Sequence, residues 1–193
     1  SLIVIQEWWG LNDQICGVAD RFARAGYNAL APDLYEGRVT QEPDEASHMM
    51  SGLDFPGATN QDLRGAALHL KGIGANVGVM GFCMGGALTI ATAVHVPEVT
   101  LGVCFYGIPP KGFADPAKIT MPLQCHFANQ DDWCTPEAVN ELEASLTAAG
   151  ANAEIHRYDA AHGFFNETSE TAYDATSANL AWRRMNDYLA ANL

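Results

Sequence analysis

One stretch near the middle of the chain, Val77-Gly78-Val79-Met80-Gly81-Phe82-Cys83-Met84-Gly85-Gly86-Ala87, constrains the fold more than any other. Val77 to Met80 is an apolar run that reads as a buried strand, and Ala87 to Val94 continues as a helix. Between them Gly81-Phe82-Cys83-Met84-Gly85 fits the pattern Gly-x-nucleophile-x-Gly. Strand, sharp turn and helix form the setting of a nucleophile elbow, whose turn strains the central residue and lifts its side chain above the sheet. Glycines flank such a turn because a Cβ there would block the close approach of neighbouring backbone. The central residue here is Cys83. An isolated free cysteine reads most simply as a small buried hydrophobe. In this setting Cys83 is the candidate nucleophile, with a helix N-terminus behind it that favours the thiolate.

Around this feature, strand and helix signals alternate. Leu2 to Gln6 is a short apolar run, and Asn12 or Asp13 caps a helix through about Ala25, with Gly26 as its stop. Asn28 to Ala31 is the next strand, closed by Pro32-Asp33-Leu34-Tyr35. Glu36 to Ala58 is the least regular region and reads as an excursion over the site, with a helical patch around Glu45 to Met50. Helix resumes near Thr59. Strands follow at Val99 to Tyr106, Leu123 to Ala128 and Ala153 to Tyr158, with a helix from Pro136 to about Ala149 and a closing helix from Thr171 to Leu193. Alternation of this kind predicts a single α/β domain over residues 1–193. Its expected architecture is a three-layer sandwich on a mostly parallel sheet of about six strands.

Composition excludes several classes of function. The chain is 48% hydrophobic and 17% charged, the balance of a globular protein. A net charge of −13 argues against nucleic acid and against anionic membrane surfaces as partners. No apolar run approaches the ~20 residues that span a bilayer. The five cysteines are odd in number, scattered through apolar stretches and without metal-type spacing, which points to a reducing, cytoplasmic setting and to no metal site. The sequence opens without Met, inside a predicted strand, and no signal peptide is visible in it, though a missing N-terminus could have carried one. The sequon Asn166-Glu167-Thr168 is too common a triplet to carry weight.

A thiol nucleophile needs a base within hydrogen-bond reach and a group that orients the base. Of six histidines, His162 alone lies in a glycine-flanked loop just after a strand and downstream of the elbow. For the orienting acid, Asp131 and Asp132 both follow the Leu123–Ala128 strand, and Asp131 is preferred with Asp132 as the alternative. Nucleophile, acid, base is the chain order of an α/β-hydrolase.

Motifs and order together resemble the dienelactone hydrolase family of α/β-hydrolases over nearly the whole chain. The resemblance is carried by Gln6-Glu7-x-x-Gly10, by Pro32-Asp33-Leu34-Tyr35, by Gly81-Phe82-Cys83-Met84-Gly85-Gly86 and by Ala161-His162-Gly163-Phe164. It implies further strands before the first one seen here, so the chain is expected to lack an N-terminal edge of the sheet. It gives Glu7 a role in controlling when the nucleophile becomes a thiolate. Backbone N–H groups of Met84 and Trp8 are the expected oxyanion donors. Tyr106, Trp8, Trp9, Phe164 and Phe165 are candidate pocket residues. The family's best-studied activity holds a substrate carboxylate with arginines, one of them shortly after the catalytic histidine. Phe165-Asn166 stands in that vicinity here, and Arg38 is the only arginine of the excursion region.

The expectation is a hydrolase of small lactones or carboxylic esters, acting through a Cys83-His162-Asp131 triad and an acyl-thiol intermediate. It needs no metal or organic cofactor and works as a monomer or weak homodimer. The competing reading is a catalytically silent α/β-hydrolase scaffold that serves as a binding module. A redox sensor built on Cys83 is a third, weakened by the lack of an adjacent resolving cysteine.

Overall fold

Six apolar runs become six strands, all paired in parallel. The structure, a computed structural model, describes residues 1–74 and 76–193. In chain order the elements are β1 (Leu2–Ile5), α1 (Asp13–Arg24), β2 (Ala29–Leu30), α2 (Pro43–Ser51) and α3 (Phe55–Gly57). A π-helical turn over Ala58–Leu63 leads into α4 (Arg64–Gly72), β3 (Gly78–Phe82), α5 (Met84–His95) and β4 (Leu101–Phe105). After a 3₁₀ turn at Pro116–Lys118 come β5 (Leu123–Gln130), α6 (Pro136–Ala148), β6 (Ala153–Ala161) and α7 (Ala175–Asn192). The strand order is β2-β1-β3-β4-β5-β6. Strands β1, β3 and β4 are buried along their whole lengths, as a parallel sheet covered on both faces requires.

Local chemistry places the helix ends. Asn12 caps α1 by accepting from the Ile15 N–H at 3.1 Å, and Thr135 caps α6 with Pro136 in the first turn. Asp174 accepts from the Ser177 N–H at 2.7 Å. That cap starts the last helix at Ala175 rather than at Thr171. Helices α1 and α7 pack together on one face, with the Phe22 and Trp182 rings 5.1 Å apart. Helix α5 lies against β3 and β4 and is buried along most of its length, which suits its run of Ala, Leu, Ile and Val.

The order of the strands positions the site. From β1 the chain steps outward to β2, then returns to the other side of β1 as β3. The reversal lies between β1 and β3, and in open α/β sheets a crevice forms at the carboxyl ends of the strands at such a point. Glu7 follows β1 and Cys83 follows β3, and the register Ile5↔Gly81 sets the two strand ends side by side. The excursion expected between Glu36 and Ala58 contains α2 and α3, and Thr40, Gln41, Met50 and Phe55 from it line the crevice.

Candidate active site

The turn after β3 is strained where the pattern calls for strain. Cys83 has φ 55° and ψ −115°, a conformation costly for any residue with a Cβ, on the order of 1–3 kcal/mol. Gly81 and Gly85 are tied to this turn. A Cβ on Gly81 would collide with the Gly85 backbone, and one on Gly85 with the carbonyl oxygens of Ile5 and Gln6. The first N–H groups of α5 have no side-chain cap. The Met84 N–H lies against the Cys83 sulfur.

Cys83, His162 and Asp131 form a continuous file. His162 Nε2 stands 3.1 Å from Cys83 Sγ, and His162 Nδ1 stands 2.8 Å from Asp131 Oδ2. The other Asp131 oxygen accepts the N–H groups of Trp133 at 2.8 Å and Cys134 at 2.9 Å. Three donors therefore fix one carboxylate. Burial works against the Asp131 charge, yet the His162 bond and these two amides hold its carboxyl below the usual range. Asp132 is exposed and lies outside the file. The strand register sets which of the two reaches His162. Ala128 pairs with Tyr158 but Gln130 with Ala161, so β6 carries one extra residue, and this bulge brings Asp131 beside His162.

The protons of the pair are poised between two pulls. Burial pushes the Cys83 thiol up, His162 and the Met84 amide pull it down, and the Glu7 charge raises it again, for a net rise. Burial would lower His162, but hydrogen bonds and charges of Asp131 and of the Cys83 sulfur raise it to about 10. Two of those four influences come from the sulfur, so the rise belongs to the pair and not to the imidazole alone.

Glu7 is 4% exposed. Tyr106 Oη donates to one of its oxygens at 3.3 Å and Asn166 Nδ2 to the other at 2.8 Å. Burial raises its carboxyl above the usual range, and Asn166, His162 and Tyr106 moderate the rise. Both Glu7 oxygens are thus engaged by neutral donors. Tyr106, itself at a strained φ of 36°, belongs to the site and not only to the core. Among the described residues no group of three or more His, Cys, Asp or Glu side chains has the geometry to hold a metal ion.

A cavity of about 700 Å³ opens onto Cys83 and His162. Trp8, Trp9, Tyr106, Trp133, Ile108 and Pro110 are among its walls, with Asn166, Thr168 and Ser169 on a polar side. Over residues 1–193 the sequence matches the profile of the Dienelactone hydrolase family. The chain belongs to the dienelactone hydrolase family.

Relatives agree with this membership. A protein of Aquifex pyrophilus named Usf is 32% identical, over 94% of this chain and 84% of its own length. An Escherichia coli K12 protein, provisionally named a carboxymethylenebutenolidase, is 32% identical over 95% of this chain and 74% of its own. Among solved structures, a provisionally named dienelactone hydrolase from Klebsiella pneumoniae superposes with a TM-score of 0.87 at 28% identity, covering 98% of this chain and 85% of that one. The metagenomic dienelactone hydrolase-like phosphotriesterase P91 shares the fold, with a TM-score of 0.81 at 22% identity. Among the described residues no helix is long and apolar enough to cross a membrane.

Against this dienelactone hydrolase frame, two of the pocket assignments need correction. Phe164 and Phe165 are not cavity walls. Phe164 packs on Tyr158 with ring centroids 4.9 Å apart, and Phe165 stacks on Phe82 at 5.2 Å. Gly163, at φ 82°, turns the chain inward after His162, so both rings fill the core beneath the site. Arg38 is exposed, bonds the Tyr35 carbonyl through Nε at 3.4 Å and is absent from the cavity wall. Two family motifs prove to be one contact, since Gln6 Oε1 accepts the Leu34 N–H at 3.2 Å. Asn166 and Trp133 are site residues that pattern reading missed. The only signal for Asn166 was its position shortly after His162.

Proposed function

We propose that the protein hydrolyses small carboxylic esters or lactones through a thiol nucleophile. The observation that carries this reading is the Cys83-His162-Asp131 file, with its two contacts at 3.1 and 2.8 Å at the foot of an open cavity. With the Nδ1 proton donated to Asp131, Nε2 is bare and takes the proton of the Cys83 thiol. The thiolate attacks the ester carbonyl, and the oxygen of the tetrahedral adduct accepts from the Met84 N–H and, as the second donor, the Trp8 N–H. Collapse breaks the C–O bond. The leaving oxygen takes the proton from His162, and the acyl group stays on Cys83. Water then loses a proton to Nε2, attacks the thioester and releases the acid, and the proton returns to the sulfur. The strained backbone of Cys83 holds the sulfur at the mouth of the oxyanion donors throughout.

Glu7 supports this cycle as a gate. Its buried charge keeps the thiol protonated and inert at rest, which protects it from oxidation until substrate changes its surroundings. The reading is tested by hydrolysis of an aryl acetate. Wild type should turn it over and Cys83→Ala should not, whereas equal rates in the two would rule the assignment out.

A further inference from the structure

Resting on that hydrolase reading, we infer that the site is built for uncharged esters or lactones carrying an apolar, aromatic-sized group, and that it rejects carboxylate-bearing ones. Asn166 is the positioning residue that sets this charge preference, and Trp133 is the aromatic that receives the group at the mouth.

The walls argue it first. Among the described residues no Lys or Arg lines the cavity. Its ionisable lining groups are Glu7, His162, the thiols Cys83 and Cys134, and the Tyr106 phenol. His162 is already paired with Asp131. A substrate carboxylate entering here would find no free cation and would approach the Glu7 charge.

Asn166 keeps that charge uncompensated. Its Oδ1 accepts the Thr168 N–H at 3.0 Å and the Thr168 hydroxyl at 2.7 Å, which fixes the amide so that Nδ2 faces Glu7. The two Glu7 oxygens are thereby met by two neutral donors, Asn166 and Tyr106, and neither donor brings a charge that would cancel the carboxylate's. A cation at position 166 would turn the same corner into an anion site.

The mouth argues the apolar half. Trp133 is 63% exposed, the most exposed of the protein's large hydrophobic side chains. Its backbone is nonetheless pinned by Asp131, and its ring meets Trp8 edge-on at 5.6 Å. Trp8 in turn meets Trp9 at 5.0 Å, and Trp133 lies 6.4 Å from the His162 ring. A fixed, solvent-facing indole beside the base presents a flat apolar surface to the group that follows the scissile carbonyl.

Two 4-nitrophenyl esters of adipic acid test this, one with the far carboxyl free and one with it methylated. The methyl ester should be hydrolysed with a kcat/KM about 100-fold above the free acid. In Glu7→Gln the ratio of methyl ester to free acid should narrow about tenfold, because the charge that faces the far carboxylate is gone while turnover of both esters falls together. Asn166→Arg, checked for folding by its melting temperature, should narrow the ratio by about tenfold through a lower KM for the free acid. Trp133→Ala should lower the preference for the nitrophenyl ester over an ethyl ester about tenfold, again through KM. A free acid hydrolysed within about threefold of the methyl ester, with Cys83-dependent turnover of both, would overturn the inference and leave the hydrolase reading intact. The ratio measured on Glu7→Gln decides the charge question even where Asn166→Arg fails to fold. Absence of turnover of either ester would instead remove the hydrolase reading, and this inference with it.

Discussion

Asn166 Nδ2 donates to Glu7 Oε2 at 2.8 Å although the two residues stand 159 positions apart in the chain. With Tyr106 on the other oxygen, the carboxylate is held near the nucleophile by donors and not by a cation. Removing its charge while keeping its shape should release the thiol. Glu7→Gln is expected to shift alkylation of Cys83 by iodoacetamide to lower pH and to speed it about tenfold near neutrality, one pKa unit's worth. Turnover of an aryl acetate should fall. Peptide mass mapping separates Cys83 from the exposed Cys16. An alkylation profile identical to wild type would show that the charge of Glu7 does not reach the sulfur.

The same substitution makes a stability prediction whose sign follows from burial. The folded state raises the Glu7 carboxyl above its ordinary value, so the folded chain holds this proton to higher pH than the unfolded chain. Its contribution to stability is therefore fullest below the ordinary carboxylate range and is lost as pH rises through the folded value. Glu7→Gln should melt about 2–4 °C above wild type at pH ~8, with the gap closing towards pH ~4. A gap independent of pH would contradict a buried, ionising Glu7.

Asp131 and Asp132 are neighbours with different surroundings, which makes them a matched pair. Asp131→Asn should lower kcat by about 10²–10⁴, because an amide facing His162 Nδ1 favours the wrong tautomer. Asp132→Asn, at an exposed position outside the file, should change kcat by less than about threefold. Steady-state kinetics on one aryl ester suffices. Penalties in the reverse order would move the orienting role to Asp132.

The elbow should trade stability for the placement of its sulfur. At φ 55°, Cys83→Gly relieves backbone strain that Cys83→Ala retains. Glycine recovers on the order of 1–3 kcal/mol of strain and gives back about 0.5–1 kcal/mol in unfolded-chain entropy. Thermal melts should place Cys83→Gly a few degrees above Cys83→Ala, with both inactive. A lower melt for the glycine variant would mean that the turn is relaxed with a Cβ in place.

What the sequence by itself determined was local. The apolar runs at Leu2–Ile5, Gly78–Phe82 and Leu101–Phe105 are buried on both faces, so hydrophobicity alone marks them as strands. The elbow around Cys83 was legible because its glycines answer to backbone collisions a few residues away. His162 was legible because it sits in a glycine-flanked loop at a strand end. The tertiary structure decided what depends on register and on partners far along the chain. Asp131 and not Asp132 comes within hydrogen-bond reach of His162 because β6 carries an extra residue opposite Ala128–Gln130, a bulge that no composition signal announces. Phe164 and Phe165 turn inward because Gly163 redirects the chain towards Phe82, Phe105 and Tyr158. Asn166 finds Glu7 only once β1 and the loop after β6 are brought to the same end of the sheet. Pattern reading sees spacings along one segment, whereas a buried charge finds its donors wherever the packed sheet brings them within hydrogen-bond reach.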